Sequence, residues 1–181
     1  MSLSLIPHYA FRKFTDISPA FLRKLGVRFL MIDLDNTIAA CNELILTDSV
    51  GQWVSEMRNS GVELFFISNS RRKNRVENFA GTLKIGFIKG ARKPSPDSIL
   101  QAMEMKGFHA GESALLGDQI FTDTLAANRA NVIPIIVKPL SLKNPLFALR
   151  FALESPFRAA CTGKMISGTK CPGDKRPYEQ Y

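Results

Sequence analysis

The chain has 181 residues, 45% of them hydrophobic and 22% charged, which suits one domain with a well-filled core and excludes an unstructured chain. Its three cysteines, Cys41, Cys161 and Cys171, match no zinc spacing and no disulfide framework, and point to a reducing, cytoplasm-like compartment. No apolar run is long enough to span a membrane and the first residues lack the pattern of a signal peptide, so any membrane contact is expected to be peripheral.

The net charge of +8 is unevenly spread. Residues 1–30 carry five Lys/Arg and one acid, residues 31–140 twelve of each, and residues 141–181 seven and three. A neutral middle between basic flanks argues against a nucleic-acid binder, whose basic footprint covers a face of the fold. It fits flanks that meet an anionic surface such as acidic lipid, or solvated flanks with no partner.

In chain order, residues 1–27 read as a basic extension packing on or beside the core. There Phe11, Phe14, Ile17, Phe21, Leu22 and Leu25 stand among Arg12, Lys13, Arg23 and Lys24. Ser18-Pro19 is an N-cap with Pro at the first helical position, opening a short helix to Leu25 that Gly26 closes. A strand over 28–33 is almost wholly apolar, as in a central parallel strand covered on both faces, and gives way to Asp33 and Asp35. A helix over 48–60, capped by Asp48 and stopped by Gly61, puts Val50, Trp53, Val54 and Met57 at helical spacing. Further strands are predicted at 62–67, 86–88, 114–116 and 133–137. Helices are predicted at 72–80, from Ser95-Pro96-Asp97 (an N-cap with Pro at the first helical position) to Lys106 with Gly107 as its stop, at 122–130, and from Asn144-Pro145 to about Glu154. From Ala159 onward Gly, Lys, Pro and Ser dominate, which predicts an unordered basic tail over 159–181. Five alternations of strand and helix predict an α/β fold over 28–158, a five-stranded parallel sheet with helices on both faces.

Open α/β sheets hold ligands at the carboxyl ends of their strands. Four strand ends here carry polar groups: Asp33 and Asp35; Ser68 and Asn69; Lys93, just beyond the third; and Asp118 with Asp123. Asp33 and Asp35 are two residues apart, so extended backbone points them the same way, and such a pair repels unless a cation or a shared proton intervenes. Each group has an ordinary reading: an Asx turn at Asp35-Asn36, a turn at Ser68-Asn69, a surface cation at Lys93, a strand exit at Asp118, a helix-start acid at Asp123. Their joint occurrence at successive strand ends is what points to a site for metal and proton chemistry.

Asp33-Leu34-Asp35-Asn36-Thr37, Ser68 after its apolar strand, Lys93-Pro94 and Gly117-Asp118-Gln119-Ile120-Phe121-Thr122-Asp123 resemble the four motifs of the haloacid dehalogenase-like phosphohydrolases, over residues 28–138. With Asn128-Arg129-Ala130 following, the last motif is similar to that of subfamily IIIA. More narrowly, the chain is similar to the YqeG-type and phosphatidylglycerophosphate phosphatase proteins, whose opening segment Pro7 to Gly26 loosely matches. The resemblance implies a Rossmann-like fold and a Mg2+-dependent phosphomonoesterase. Asp33 would be the nucleophile, forming an aspartyl-phosphate, and Asp35 the acid and then the base. Mg2+ would be held by Asp33, the Asp35 backbone carbonyl and Asp118. Ser68 and Asn69 would bind phosphoryl oxygens, Lys93 would neutralise charge on them, and Asp123 would orient Lys93 or the metal shell. Asn36 and Thr37 would shape the turn that aims Asp35.

The intervals 37–68 and 70–93 leave no room for the cap domain that family members often insert, so the site is expected to be open. An open site suits a phosphate displayed on something large, with phosphatidylglycerophosphate the leading candidate. The competing class is a phosphatase fold that mainly binds a protein or RNA partner through its basic flanks, which a complete set of site residues disfavours. Leu146, Phe147, Leu149, Phe151 and Leu153 of the last helix, with the phenylalanines of the first flank, either pack on the sheet or help seat the molecule on anionic lipid.

Overall fold

A computed structural model describes residues 3–41, 43, 45–70, 72, 74–161, 163–166 and 169–170. The strands are β1 (Tyr9–Phe11), β2 (Phe29–Ile32), β3 (Glu63–Ser68), β4 (Gly86–Lys89), β5 (Ser113–Gly117), β6 (Ile133–Val137), β7 (Gly163–Ile166) and β8 (Thr169–Lys170). They form one sheet in the order β4-β3-β2-β5-β6-β1-β7-β8. Every pairing from β4 through to β7 is parallel, and only β8 returns antiparallel to β7.

The five strands expected from the sequence are β2 to β6, and β2 is central and fully buried, as its apolar run demanded. Alternation along it feeds two cores. Leu30 and Ile32 join Leu64, Phe66, Leu116 and Ile135 on one face, under α1 (Pro19–Lys24), α2 (Asp48–Asn59) and α3 (Arg75–Leu83). Phe29 and Met31 join Phe65, Ile67 and Leu115 on the other, under α4 (Asp97–Lys106) and α5 (Leu125–Arg129).

The first flank belongs to the core. β1 pairs in parallel with β6, Tyr9 opposite Ile135 and Phe11 opposite Val137. Phe11, Phe14, Ile17, Phe21 and Leu22 are all buried. Tyr9 and Phe11 pack edge-on against Phe21, each with ring centroids 5.0 Å apart. Trp53 of α2 donates its indole N–H to the Ile17 carbonyl at 2.9 Å, anchoring the flank to that helix. Ser18 caps α1 through the Phe21 N–H, with Pro19 at the first position.

Several boundaries differ from the sequence reading. The cap of α2 is Thr47, and Asp48 lies in its first turn, where a carboxylate still meets the positive end of the helix dipole. The segment after β5 is a π-helical turn over Ile120–Thr124 before α5 begins. The last helix, α6 (Pro145–Ala159), runs five residues past the expected end. Residues 163–166 and 169–170, expected in an unordered tail, are strands added to the β1 edge. The remainder of that expectation, residues 171–181, lies outside the described residues, as does Cys171.

Candidate active site

The register places the site at the carboxyl edge of the sheet. Ile32 lies level with Phe66 on β3 and Leu116 on β5, so Asp33, Ser68 and Asp118 leave three adjacent strands on one rim. Lys93 reaches this rim from the loop after β4. Its backbone is fixed by Asn69, whose side chain accepts from the Lys93 N–H at 2.8 Å and donates to the Lys93 carbonyl at 3.0 Å. The Lys93 ammonium, buried, touches Asp33 Oδ1 and Asp123 Oδ1 at 2.6 Å each and donates to the Ile67 carbonyl at 2.8 Å.

Asp123 comes from the π-helical turn and also accepts the Gln119 N–H at 3.0 Å. A Cβ at position 117 would overlap the Asp123 carboxylate, so Gly117 is what lets that carboxylate fold back against its own strand end. The Thr37 hydroxyl lies 3.5 Å from Asp33 Oδ2 and 3.4 Å from Asp118 Oδ1, and its one proton can serve only one of them at a time.

Buried negative charge is in excess. Asp33, Asp118 and Asp123 bring one oxygen each within 4.8 Å of one another, against the single ammonium of Lys93. Burial pushes Asp33 up to about 7; Lys93 opposes the rise, while Asp123 and Asp35 add to it. Burial, then Asp123 and Asp33, hold Asp118 well above the usual carboxylate range. For Lys93 burial works the other way, but Asp123 and Asp33 outweigh it and hold the ammonium above its ordinary value. Asp118 Oδ2 is buried and receives no hydrogen bond. A hard oxygen-only donor set with an orphaned acceptor and uncompensated charge fits a divalent cation.

A cleft of about 240 Å3 opens at these groups, lined by Asp33, Asp35, Ser68, Asn69 and Gln119 together with Arg72, Phe147 and Arg150. Among the described residues no cap domain intervenes: α2 lies between β2 and β3, and α3 between β3 and β4. The structure thus gathers every site residue expected from the sequence at one place: Asp33, Asp35, Ser68 and Asn69 line the cleft, and Thr37, Lys93, Asp118 and Asp123 stand around Asp33.

Further residues, beyond the catalytic and binding set, support the site. Arg75, the first residue of α3 and buried, donates Nε to Asp35 Oδ1 at 2.7 Å, and its other nitrogens hold the carbonyls of Ala40 and Glu43. Asn36, in a left-handed conformation (φ 67°), exchanges two side-chain hydrogen bonds with the Ser141 backbone, and its carbonyl accepts from the Leu140 N–H. In α6, Glu154 accepts the Phe121 N–H and pairs with Arg158, which donates to the carbonyls of Asp118 and Val137. Phe147 and Arg150 come from this helix too, which stands beside the cleft. An arginine in a helix reads as surface and a helical phenylalanine as core, so no sequence signal assigned Arg75, Phe147 or Arg150 to the site.

A family model for haloacid dehalogenase-like hydrolases matches residues 9–131, beginning where β1 begins. The chain is 31% identical over 125 residues to the probable phosphatase YqeG of Bacillus subtilis (strain 168), covering 69% of this chain and 72% of that one. Among solved structures, a hypothetical protein from Xanthomonas campestris superposes with a TM-score of 0.52 at 18% identity, covering 74% of this chain and 79% of that chain. The cobalt-bound deoxy-D-mannose-octulosonate 8-phosphate phosphatase of Haemophilus influenzae gives 0.50 at 15% identity, with 75% and 92% covered. At these identities the two structures speak for the fold alone. Family model and curated relative together carry the assignment: the chain belongs to the haloacid dehalogenase-like hydrolases and is a phosphatase of that family.

Proposed function

We propose that the chain is a Mg2+-dependent phosphomonoester hydrolase working through an aspartyl-phosphate on Asp33, with phosphatidylglycerophosphate as its substrate. The buried excess of carboxylates around one ammonium carries this reading, because a divalent cation bound there would compensate that charge and satisfy the orphaned Asp118 oxygen. Asp33, the Asp35 backbone carbonyl and Asp118 would hold Mg2+, which supplies charge neutralisation to the phosphoryl oxygens. A carboxylate oxygen of Asp33 attacks phosphorus as the ester bond breaks, and Asp35 delivers a proton to the departing alkoxide. Arg75 occupies Oδ1 of Asp35, which leaves Oδ2 for that proton. Asp35 then takes a proton from water as the water attacks the phosphoenzyme, releasing inorganic phosphate and restoring Asp33. Ser68 and Asn69 bind the phosphoryl oxygens, and Lys93, positioned by Asp123, stabilises the charge that develops on them.

The substrate choice draws on the uncapped cleft and its two flanking cations. Arg72 and Arg150 favour an alcohol that bears a second anionic group, as the phosphodiester of phosphatidylglycerophosphate does. A lipid-borne phosphate also requires peripheral contact with an anionic membrane, since no helix among the described residues is long and apolar enough to cross one.

The test is hydrolysis by purified protein of p-nitrophenyl phosphate, glycerol 3-phosphate and phosphatidylglycerophosphate, with Mg2+ and with excess EDTA. Asp33→Asn should lower kcat on the order of a thousandfold or more while leaving the fold intact, and Asp118→Ala should raise the Mg2+ requirement steeply. Full activity in EDTA, or turnover by Asp33→Asn within tenfold of the parent, would remove the mechanism. A preference for glycerol 3-phosphate over the lipid would remove the substrate.

A further inference from the structure

We propose that the outer face of α6, with the segment leading into it, is a docking surface for an anionic lipid bilayer that holds the cleft against the headgroup layer. The inference deepens the lipid-phosphatase reading and rests on it for its purpose, while its binding test stands apart from catalysis.

Two observations carry it. The first is the placement of exposed apolar side chains. Among the described residues ten large hydrophobic side chains are exposed, and five of them fall between 140 and 153: Leu140, Leu142, Leu146, Leu149 and Leu153. Leu146, Leu149 and Leu153 are spaced i, i+3 and i+7, on one stripe of α6, and are 72%, 59% and 60% exposed. The other side of α6 is engaged with the protein: Glu154 is buried and accepts the Phe121 N–H, and Arg158, one turn on, donates to the carbonyls of Val137 and Asp118. The leucine stripe is therefore not the face that attaches the helix to the fold.

The second observation is charge at the same rim of the sheet. Phe11 lies opposite Val137 in parallel strands, so Arg12 and Lys13 leave the sheet beside Lys138, at the rim that also carries Asp33 and Asp118. These three and Lys143 are exposed. The only acid in α6, Glu154, is turned inward and neutralised by Arg158, so the outer face of that helix carries no negative charge. An acid-free leucine stripe, with lysine and arginine exposed at the same rim of the sheet, matches an interfacial amphipathic helix on acidic lipid better than a protein partner, whose interface core is depleted of lysine. The basic residues of the first flank divide between two ends. Arg23 and Lys24 close α1, next to the amino end of β2, on the rim far from the cleft. The surface therefore takes in Arg12 and Lys13 and leaves out the other pair.

Co-sedimentation of the full chain with vesicles of phosphatidylglycerol and phosphatidylcholine tests this. The parent should bind at low ionic strength and be released as salt shortens the screening length. Replacing Leu146, Leu149 and Leu153 by Ser, at positions that bear no core load, should weaken vesicle binding roughly tenfold or more. Arg12→Glu with Lys13→Glu and Lys143→Glu should abolish binding at the salt where the parent is half bound, whereas Arg23→Glu with Lys24→Glu should bind like the parent. All three variants should hydrolyse p-nitrophenyl phosphate at the parent rate. No binding by the parent, equal binding by the leucine variant, or equal loss in both charge variants would each overturn the proposal. So would a parent dimer that the leucine changes convert to monomer without touching vesicle binding, since the stripe would then serve a second copy. Vesicle binding without any phosphomonoesterase activity would leave the surface standing and remove the proposed function instead.

Discussion

Asp33 is an ionisable group whose partners disagree: burial and the neighbouring carboxylates favour its proton, and Lys93 favours its loss. With its folded value raised from 3.8 to about 7, native protein holds that proton over a pH range where the unfolded chain has released it. Its burial therefore costs stability that grows as pH rises from about 4 to 7, then levels off. A divalent cation at the site competes with this proton. Adding Mg2+ should accordingly raise the melting temperature more at pH 8 than at pH 5.5, and a shift independent of pH would show that Asp33 is not protonated in the metal-free site. Residues of this kind were legible because a carboxylate, hydroxyl or ammonium that ends an apolar strand needs an explanation. Arg75 was not legible. Its contact with Asp35 spans forty positions, and a basic residue opening a helix looks like solvated surface until the fold closes.

At the scale of elements, α6 does two things on its two faces. Inward, Glu154 and Arg158 tie the loop after β5, including the Asp118 carbonyl and the Phe121 N–H, to the end of β6. Glu154→Ala strands a largely buried guanidinium and a backbone donor together, so it should cost about 3–5 kcal/mol in urea unfolding and weaken Mg2+ binding through Asp118. Glu154→Gln keeps an acceptor for Phe121 and should cost less. Equal stability of Glu154→Ala and the parent would show the pair to be incidental. The strands β2 to β6 could be read directly, since each is a bounded apolar run. β1 could not: three residues, Tyr9 to Phe11, followed by Arg12 and Lys13 show no alternation long enough to register. The helix ends moved by a few residues where π-helical or left-handed backbone, as at Thr124 and Asn74, took the place of an ordinary cap.

Across the whole molecule, the basic flanks that composition set apart from a neutral middle are the two ends of one sheet edge, with β1 beside β6 and β7 beside β1. That edge has a consequence for the order in which the protein is made. Tyr9 pairs with Ile135, 126 positions later, so β1 leaves the ribosome well before the strand it pairs with. The segment around Ile17 can settle on α2 much sooner, through Trp53. Loop closure over such a separation comes late, after the central strands have paired with near neighbours in sequence. Phe11→Ala should therefore destabilise by about 3–5 kcal/mol and do so almost wholly by speeding unfolding, leaving the refolding rate near that of the parent. A refolding rate that fell in proportion would place β1 in the folding nucleus. If β1 docks last, a nascent chain that stops short of β6 carries Tyr9 and Phe11 uncovered, and its solubility during synthesis depends on whatever shields those two rings until residue 137 has emerged.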